Sequence, residues 1–326
     1  MPRFSKAKPS EHFDGERFFN PKSSFVHHNF FKGLRMWLST PKAKWPKHVE
    51  HTGIPRLNEK LSPQQAAITF VNHATFLLQL DGLNILTDPV WSKRVSPFTW
   101  LGPKRVRKPG IAFDELPNID LIIISHNHYD HMDLKTLKRL RKFNPKVIVP
   151  IGDKALMQAI GLKDVVELDW WEEVEINTST KIVFAPTKHF SSRSLVDHNC
   201  SLWGSYIIQS HGKQIYFGGD AAYSHHYHDI FSKFGSVDLA LLGIGAYEPS
   251  WFMRESHMSP AEAVQAHLDL HAKLSIGMHF GTFQLSSEAI QQPIYDLKTG
   301  LNRLGVAEES FITISEGDTK VLNFTY

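Results

Sequence analysis

Residues 122–133, "IIISHNHYDHMD", set three histidines and two aspartates directly behind a run of isoleucines. Ser125 ends an apolar strand, so the loop that follows lies at the strand's carboxyl end, where open α/β sheets hold their ligands. His126 and His128 are two apart and point the same way in an extended segment, while Asp130 and His131 follow in a turn, giving the spacing H-x-H-x-D-H. Neutral imidazole nitrogens and carboxylate oxygens suit Zn²⁺ and related transition metals, and a cluster this tight can serve two ions. The alternative, histidines buried neutral for packing alone, requires a separate hydrogen-bond partner for each ring. Metal binding needs fewer coincidences.

Two ions need more donors than one loop supplies. His189 follows the β-branched stretch "KIVFAPT", Asp220 follows "QIYFGG", and His279 follows "LSIGM". Each sits at the end of an expected strand. The two glycines before Asp220 allow close backbone approach.

These positions imply a particular set of elements. "ITFVNHATFLLQL" and "LNILTDP" flank Asp81-Gly82, a hairpin turn signal. The strand "IDLIIIS" follows, and then a helix over "DLKTLKRLRKF" with Asp133 as N-cap and Leu134, Leu137 and Leu140 on one face. Its five Lys and Arg residues form a solvated face. The second half repeats the plan: "SLWGSYIIQSHGKQIYFGGD" is a hairpin ending in Asp220 as the first ends in Asp88, and "SVDLALLGIG" echoes "NIDLIIIS". Ser259, Pro260 and Glu262 form a capping box before another helix. Two hairpin-strand-helix halves predict an α/β protein in which an αββα sandwich of two β-sheets is flanked by helices; periodicity alone also admits a doubly wound sheet.

The totals set bounds on this reading. The 326 residues can bury a large core, and with 42% hydrophobic and 21% charged residues the chain has a globular composition. No apolar run reaches the roughly 20 residues of a spanning helix, and the first residues have no continuous apolar region of a secretory signal. The expected location is cytoplasmic, with peripheral membrane contact. One cysteine, Cys200, excludes an intramolecular disulfide and a thiolate-rich zinc site, and is read as a small buried residue. The histidines His225, His226 and His228 are read as a surface loop.

The net charge of +3 gives no reason to expect nucleic acid, but it is unevenly spread. Residues 1–60 hold twelve Lys and Arg against five Asp and Glu, a balance of +7; the remainder holds twenty-four against twenty-eight, a balance of −4. Residues 1–63 are therefore expected as a basic, aromatic arm packed on a domain of residues 64–326. Within the arm, "FFKGLRMWL" spaces Phe30, Phe31, Leu34, Trp37 and Leu38 as a helix would. Such a helix could lie in a membrane interface or dock on the protein's own core, and Gly33 and its short length favour docking.

At this level of detail the sequence resembles the metallo-β-lactamase-fold zinc hydrolases, and within them the N-acyl-phosphatidylethanolamine-hydrolysing phospholipase D family, bacterial branch. The resemblance covers "LTDP", "SPF" with "GPKR", "ELPNIDLIIISHNHYDHMD", "ELDWWEE", "LWGS", "FGGD", "IGAYEPSWFM" and "HFGTF", in order, with "HFDGERFFNP" in the arm. It implies a dinuclear zinc site: His126, His128 and His189 on one ion, Asp130, His131 and His279 on the other, and Asp220 bridging. Such a pair binds a hydroxide between the ions and stabilises both oxygens of a displacement at phosphorus. Asp130 would orient that hydroxide or accept its proton, and His257 would stabilise charge or protonate the leaving oxygen. Trp251, Phe252 and Met253 could line an acyl-chain groove with Arg254 reaching phosphate, or could anchor their loop in the core.

The activity so implied is cleavage of a phospholipid, N-acyl-phosphatidylethanolamine, to N-acylethanolamine and phosphatidic acid, with the basic arm meeting an anionic bilayer. The same fold also serves hydrolases of soluble phosphodiesters and lactones, and a non-catalytic zinc-binding peripheral membrane protein is a third reading. The sequence sets no oligomeric state. Two departures stand out: Ala221 replaces a frequent hydroxyl residue after the bridging aspartate, and Lys188 adds a positive charge next to His189.

Overall fold

The computed structural model describes residues 10–21, 40–50, 53–57 and 61–323. The helical spacing over "FFKGLRMWL" lies outside these residues. The strands form two seven-stranded sheets. The first contains β1 (Gln65–Asn72), β2 (Thr75–Leu80), β3 (Leu83–Thr87), β4 (Leu121–Ile123), β5 (Lys146–Pro150) and β6 (Val165–Leu168), with β14 (Thr319–Asn323) on the edge beside β1. The second contains β7 (Glu173–Glu175), β8 (Thr180–Ala185), β9 (Ser205–Ser210), β10 (Lys213–Phe217), β11 (Leu239–Gly243), β12 (Leu274–Met278) and β13 (Phe311–Ile312). Each sheet is antiparallel at its hairpin and parallel beyond it: β3 pairs parallel with β4, and β10 with β11.

Alternation of side chains explains the layering. Ile68, Phe70, Phe76, Leu78, Leu121 and Ile123 face Ile182, Phe184, Tyr206, Ile208 and Phe217 in one core between the sheets. Their neighbours Leu77, Leu86, Ile122 and Ile124 face outward, beneath α1 (Leu134–Leu140) and α2 (Lys154–Ala159). On the other side Ile207, Tyr216 and Leu242 lie beneath α3 (His226–Phe234), α5 (Pro260–Asp269) and α6 (Gln292–Leu304), while the short α4 (Ser250–Met253) precedes α5. Strands such as β4 are apolar on both faces because both are covered, which is why "LIII" shows no alternation. The result is the expected αββα sandwich.

The repeat extends to individual hydrogen bonds. The hairpin turns Asp81-Gly82 and His211-Gly212 have the same backbone, with φ of +51° and +73° in one and +48° and +75° in the other. Asp120 accepts the Asn84 N–H at 2.9 Å, and its counterpart Asp238 accepts the Gln214 N–H at 2.9 Å. The two turns meet, His211 Nε2 lying 2.7 Å from Asp81 Oδ1. Asp133 caps α1, accepting from Lys135 N–H, and Ser259 with Glu262 closes the capping box of α5.

Several expectations are corrected. "ITFVNHATFLLQL" is two strands, β1 and β2, joined at His73 and Ala74; the turn carries no Gly or Pro and its flanks are apolar, so it reads as continuous. His73 takes a left-handed φ of +50°, and its N–H donates to Thr282 Oγ1. His226 is a buried residue of α3 rather than part of a surface loop, and Cys200 is only half-buried. In the arm, Phe13 and Phe18 are buried in the inter-sheet core. Among the described residues no helix is long and apolar enough to cross a membrane.

Candidate metal centre

The carboxyl ends of β4, β8, β10 and β12 meet at one edge of the sandwich, and each is followed by a residue that sequence spacing singled out. The loop after β4 turns tightly, with the N–H groups of His131 and Met132 both donating to the His128 carbonyl. This brings His126, His128, Asp130 and His131 together. His189 arrives after β8, Asp220 after β10 and His279 after β12. Gly219, at φ +56°, lets the Asp220 segment run against Ser125, since a Cβ there would sit 2.6 Å from the Ser125 Cβ.

The donor atoms fall into two groups that could each hold an ion: His126, His128, His189 and Asp220, and His73, Asp130, His131 and His279. Asp220 stands between them. Its Oδ2 lies 3.8 Å from His126 Nε2, 3.7 Å from His189 Nε2 and 3.2 Å from His131 Nε2, and its Oδ1 lies 3.2 Å from His279 Nε2. Asp130 Oδ2 is 3.5 Å from His131 Nε2 and 3.4 Å from His279 Nε2. Tetrahedral donors about 2.0–2.1 Å from one ion stand roughly 3.3 Å from each other, which is the spacing found here.

The outer nitrogens of three of the rings are already committed. His131 Nδ1 donates to Asp88 Oδ2 at 2.6 Å, His189 Nδ1 donates to the Ser256 carbonyl at 2.8 Å, and His126 Nδ1 lies 2.9 Å from Ser125 Oγ. In the neutral rings of His131 and His189 this leaves the lone pair on Nε2, facing the centre. His131 Nε2 and Asp220 Oδ1 are buried with no hydrogen-bond partner. Such atoms are costly unless something accepts their lone pairs, and a cation fits.

The electrostatics agree with a cation site. Burial pushes His126 and His189 well below the ordinary histidine range and His128 and His257 to about 4. Burial also opposes charge on His131 and His279, but Asp220 and Asp130 beside them outweigh it and hold His131 high and His279 at about 9. Asp130 and Asp220 would be raised by burial, yet the imidazoles, His131 foremost, keep them anionic. Two carboxylates thus stay charged, with His126, His128, His189 and His257 neutral around them and His131 and His279 paired to them.

His257 is drawn into the same place. Its Nδ1 lies 3.9 Å from Asp220 Oδ2, and its ring stacks at 5.3 Å on His279. The turn that carries it is tied to α4 and to the Asp220 segment: the Met253 carbonyl accepts the His257 N–H, and Met258 N–H donates to the Ala221 carbonyl. Of the other expected residues, Met253 is buried, Phe252 is half-buried, and Trp251 and Arg254 are exposed. Lys188 does not point a bare charge at the centre, because its Nζ pairs with Glu255 at 3.1 Å. His225 and His228 pair with Asp229 and Asp269, and His226 with Ser224.

Sequence reasoning missed three residues. His73 Nε2 lies 3.0 Å from Asp130 Oδ2, with its ring 4.0 Å from that of His279. Asp88 holds His131 and also accepts from Ser125 N–H and Oγ. Asn20, in the arm, donates through Nδ2 to the His189 carbonyl at 2.9 Å. His73, Asp88 and His279 all have positive φ, at +50°, +32° and +62°. Left-handed backbone costs about 1–3 kcal/mol per non-glycine residue and gathers at functional sites. The only sequence signal for His73 was a polar Asn-His pair between two apolar runs.

An αββα sandwich with histidine and aspartate donors converging from both sheets defines a metallo-β-lactamase-fold protein. Residues 83–280 match the Beta-lactamase superfamily domain. Over 263 residues the chain is 37% identical to N-acyl-phosphatidylethanolamine-hydrolyzing phospholipase D 1 of Caenorhabditis elegans, covering 77% of this chain and 74% of that protein. It is 40% identical over 223 residues to the mitochondrial N-acyl-phosphatidylethanolamine-hydrolyzing phospholipase D of Saccharomyces cerevisiae, covering 65% of this chain but only 47% of the yeast protein. In fold it is similar to an isothiocyanate hydrolase from Delia radicum gut bacteria, with a TM-score of 0.64 at 18% identity over 78% of this chain and 98% of that one. The chain belongs to the N-acyl-phosphatidylethanolamine-hydrolysing phospholipase D family of metallo-β-lactamase-fold hydrolases.

Proposed function

We propose that this protein is a zinc-dependent phosphodiesterase that hydrolyses N-acyl-phosphatidylethanolamine, phospholipase D fashion, to N-acylethanolamine and phosphatidic acid. The observation that carries a two-ion hydrolase is the shared carboxylate of Asp220, within 3.8 Å of nitrogens from both donor groups. The lipid substrate is supported by the names of the worm and yeast relatives.

His126, His128, His189 and Asp220 would hold one ion, and Asp130, His131, His279 and Asp220 the other. Two divalent ions there supply Lewis-acid stabilisation of phosphoryl oxygens and a nucleophile available at neutral pH. The chain's own residues do the rest. Asp130, fixed by His73, orients the attacking water and accepts its proton. Burial keeps His257 neutral, so its ring donates a hydrogen bond to a phosphoryl or leaving oxygen without carrying charge. Trp251 and Phe252 meet the acyl chains and Arg254 the phosphate. In this reading residues 64–326 are the catalytic domain, and the protein acts from the cytoplasm at a membrane surface.

The test is mass spectrometry of N-acyl-phosphatidylethanolamine liposomes incubated with zinc-loaded protein whose metal content has been measured. N-acylethanolamine and phosphatidic acid should appear together and be absent with Asp130→Asn. No release from protein carrying two ions per chain would overturn the lipid substrate and direct the search to soluble phosphodiesters and lactones.

A further inference from the structure

Nine large apolar side chains are exposed among the described residues; five of them, Phe98, Trp100, Leu101, Leu195 and Val196, lie in loops that leave the carboxyl ends of β3 and β8, and a sixth, Trp251, lies in the short helix α4 after β11. That is the edge that carries the metal centre. Isolated exposed apolar residues are ordinary, but a concentration on one edge is not.

The loop after β3 has a defined shape. Arg94 and Lys104 pair as an antiparallel bridge, Val95 N–H donates to the Pro103 carbonyl, and Arg105 N–H donates to the Lys93 carbonyl, forming a short stalk. At its end Ser96 accepts the Phe98 N–H and donates to the Leu101 carbonyl. The tip so closed leaves Phe98, Trp100 and Leu101 at 51%, 72% and 54% exposure. The chain from residue 89 to 113 carries six Lys and Arg and no Asp or Glu. Arg105 and Arg107 turn inward to backbone carbonyls and Glu316, while Lys93 and Lys104 are exposed at the stalk.

A second tip stands beside the first. Leu195 and Val196 are 98% and 78% exposed. Two residues earlier, Arg193 packs over the Tyr129 ring at 4.0 Å and donates to the carbonyls of Asn127 and Met132, which fastens this loop to the metal-binding turn. Arg193, Tyr129 and Phe98 line one cleft of about 400 Å³ between the two tips.

We propose that these two tips form a docking surface for an anionic phospholipid bilayer, with the aromatic and aliphatic residues entering the interface and Lys93 and Lys104 meeting lipid phosphates. Trp and basic side chains are the residues that settle at this boundary, and a loop without a single carboxylate has the charge that complements it. The inference rests on the lipid-hydrolase reading and adds the face that the enzyme presents to its substrate.

The experiment is co-sedimentation of the full chain with phosphatidylcholine vesicles and with vesicles that also contain phosphatidylglycerol, at low and high salt. Binding should favour the anionic vesicles and weaken with salt. Trp100→Ser with Leu195→Ser should weaken it roughly tenfold or more, and Lys93→Glu with Lys104→Glu should abolish the preference for anionic lipid. Turnover of soluble bis(p-nitrophenyl) phosphate should be unchanged in both variants. Variants that bind as well as the parent would overturn the proposal, as would a parent that ignores vesicles. So would tips that hold two copies together, seen as self-association lost in Trp100→Ser, Leu195→Ser while vesicle binding persists. Vesicle binding without lipid cleavage would sink the substrate and leave the docking surface standing.

Discussion

His131 is held by its outward nitrogen: Nδ1 donates to Asp88 Oδ2 at 2.6 Å, so Nε2 faces Asp220 and Asp130. Asp88 ends the first hairpin where Asp220 ends the second, and it has become the residue that orients a donor instead of a donor itself. Asp88→Asn should lower metal affinity of the His131 group by about 10–100-fold, as loss of such outer partners does. Titration of the metal-free protein against a chromogenic chelator reads this directly; two sites of unchanged affinity would refute the role.

His73 should matter through Asp130. A hydrogen bond to a charged carboxylate contributes about 1.5–3 kcal/mol, so His73→Ala should lower kcat on a soluble phosphodiester by roughly 10–100-fold. KM should move much less, because His73 is buried away from solvent. His73→Gln, which keeps a donor, should recover part of the loss. An unchanged kcat in His73→Ala would show that Asp130 is fixed by its other neighbours.

The described start of the arm contributes to the core through Phe13 and Phe18. Phe18 is 3% exposed in the inter-sheet cluster, and Phe18→Ala should cost about 3–5 kcal/mol in urea unfolding. Asn20→Ala, which removes the bond to the His189 carbonyl, should cost about 1 kcal/mol and weaken metal binding at the His126 group. Full stability in Phe18→Ala would mean that Phe18 adds nothing to the core.

His226 gives a pH dependence that does not involve the metal centre. Burial pushes this histidine to about 3, with a smaller push from His225. The unfolded chain binds a proton below about 6.5 that the folded chain refuses, so stability is full above that pH and falls as pH drops towards 3, by about 1.4 kcal/mol per unit. His226→Gln should flatten the difference in unfolding free energy between pH 6.5 and 5.5 by about 1 kcal/mol, because the unfolded histidine is only half protonated at pH 6.5. Parallel pH profiles for the two proteins would exclude His226 as the source.

Much of this was legible in the sequence because it is local. H-x-H-x-D-H falls in six residues, the Asp81-Gly82 turn in two, and the Ser259 capping box in four. Strand ends could be read for His189, Asp220 and His279, since apolar runs stop before each. What escaped acts at a distance: His73 meets Asp130 across 57 residues, Asp88 meets His131 across 43, and Asn20 meets His189 across 169. No periodicity encodes such pairs. The β1–β2 turn was hidden for a different reason: His73 adopts a left-handed backbone there without a glycine to announce it.

Asp220 and its neighbours also decide when the centre can be assembled. The first sheet's loops bring His126, His128, Asp130 and His131, and the second sheet's bring His189, Asp220 and His279, so each ion of the proposed pair would draw donors from both halves. Asp130 and His279 are 149 residues apart. On the proposed ligand set, a nascent chain halted before His279 would lack a complete second group, however well its earlier strands had folded, so full loading would certify that synthesis and sheet pairing are finished. By the same logic, fragments cut in the turn between β6 and β7 should each hold ions poorly and should recover tight binding only on being mixed.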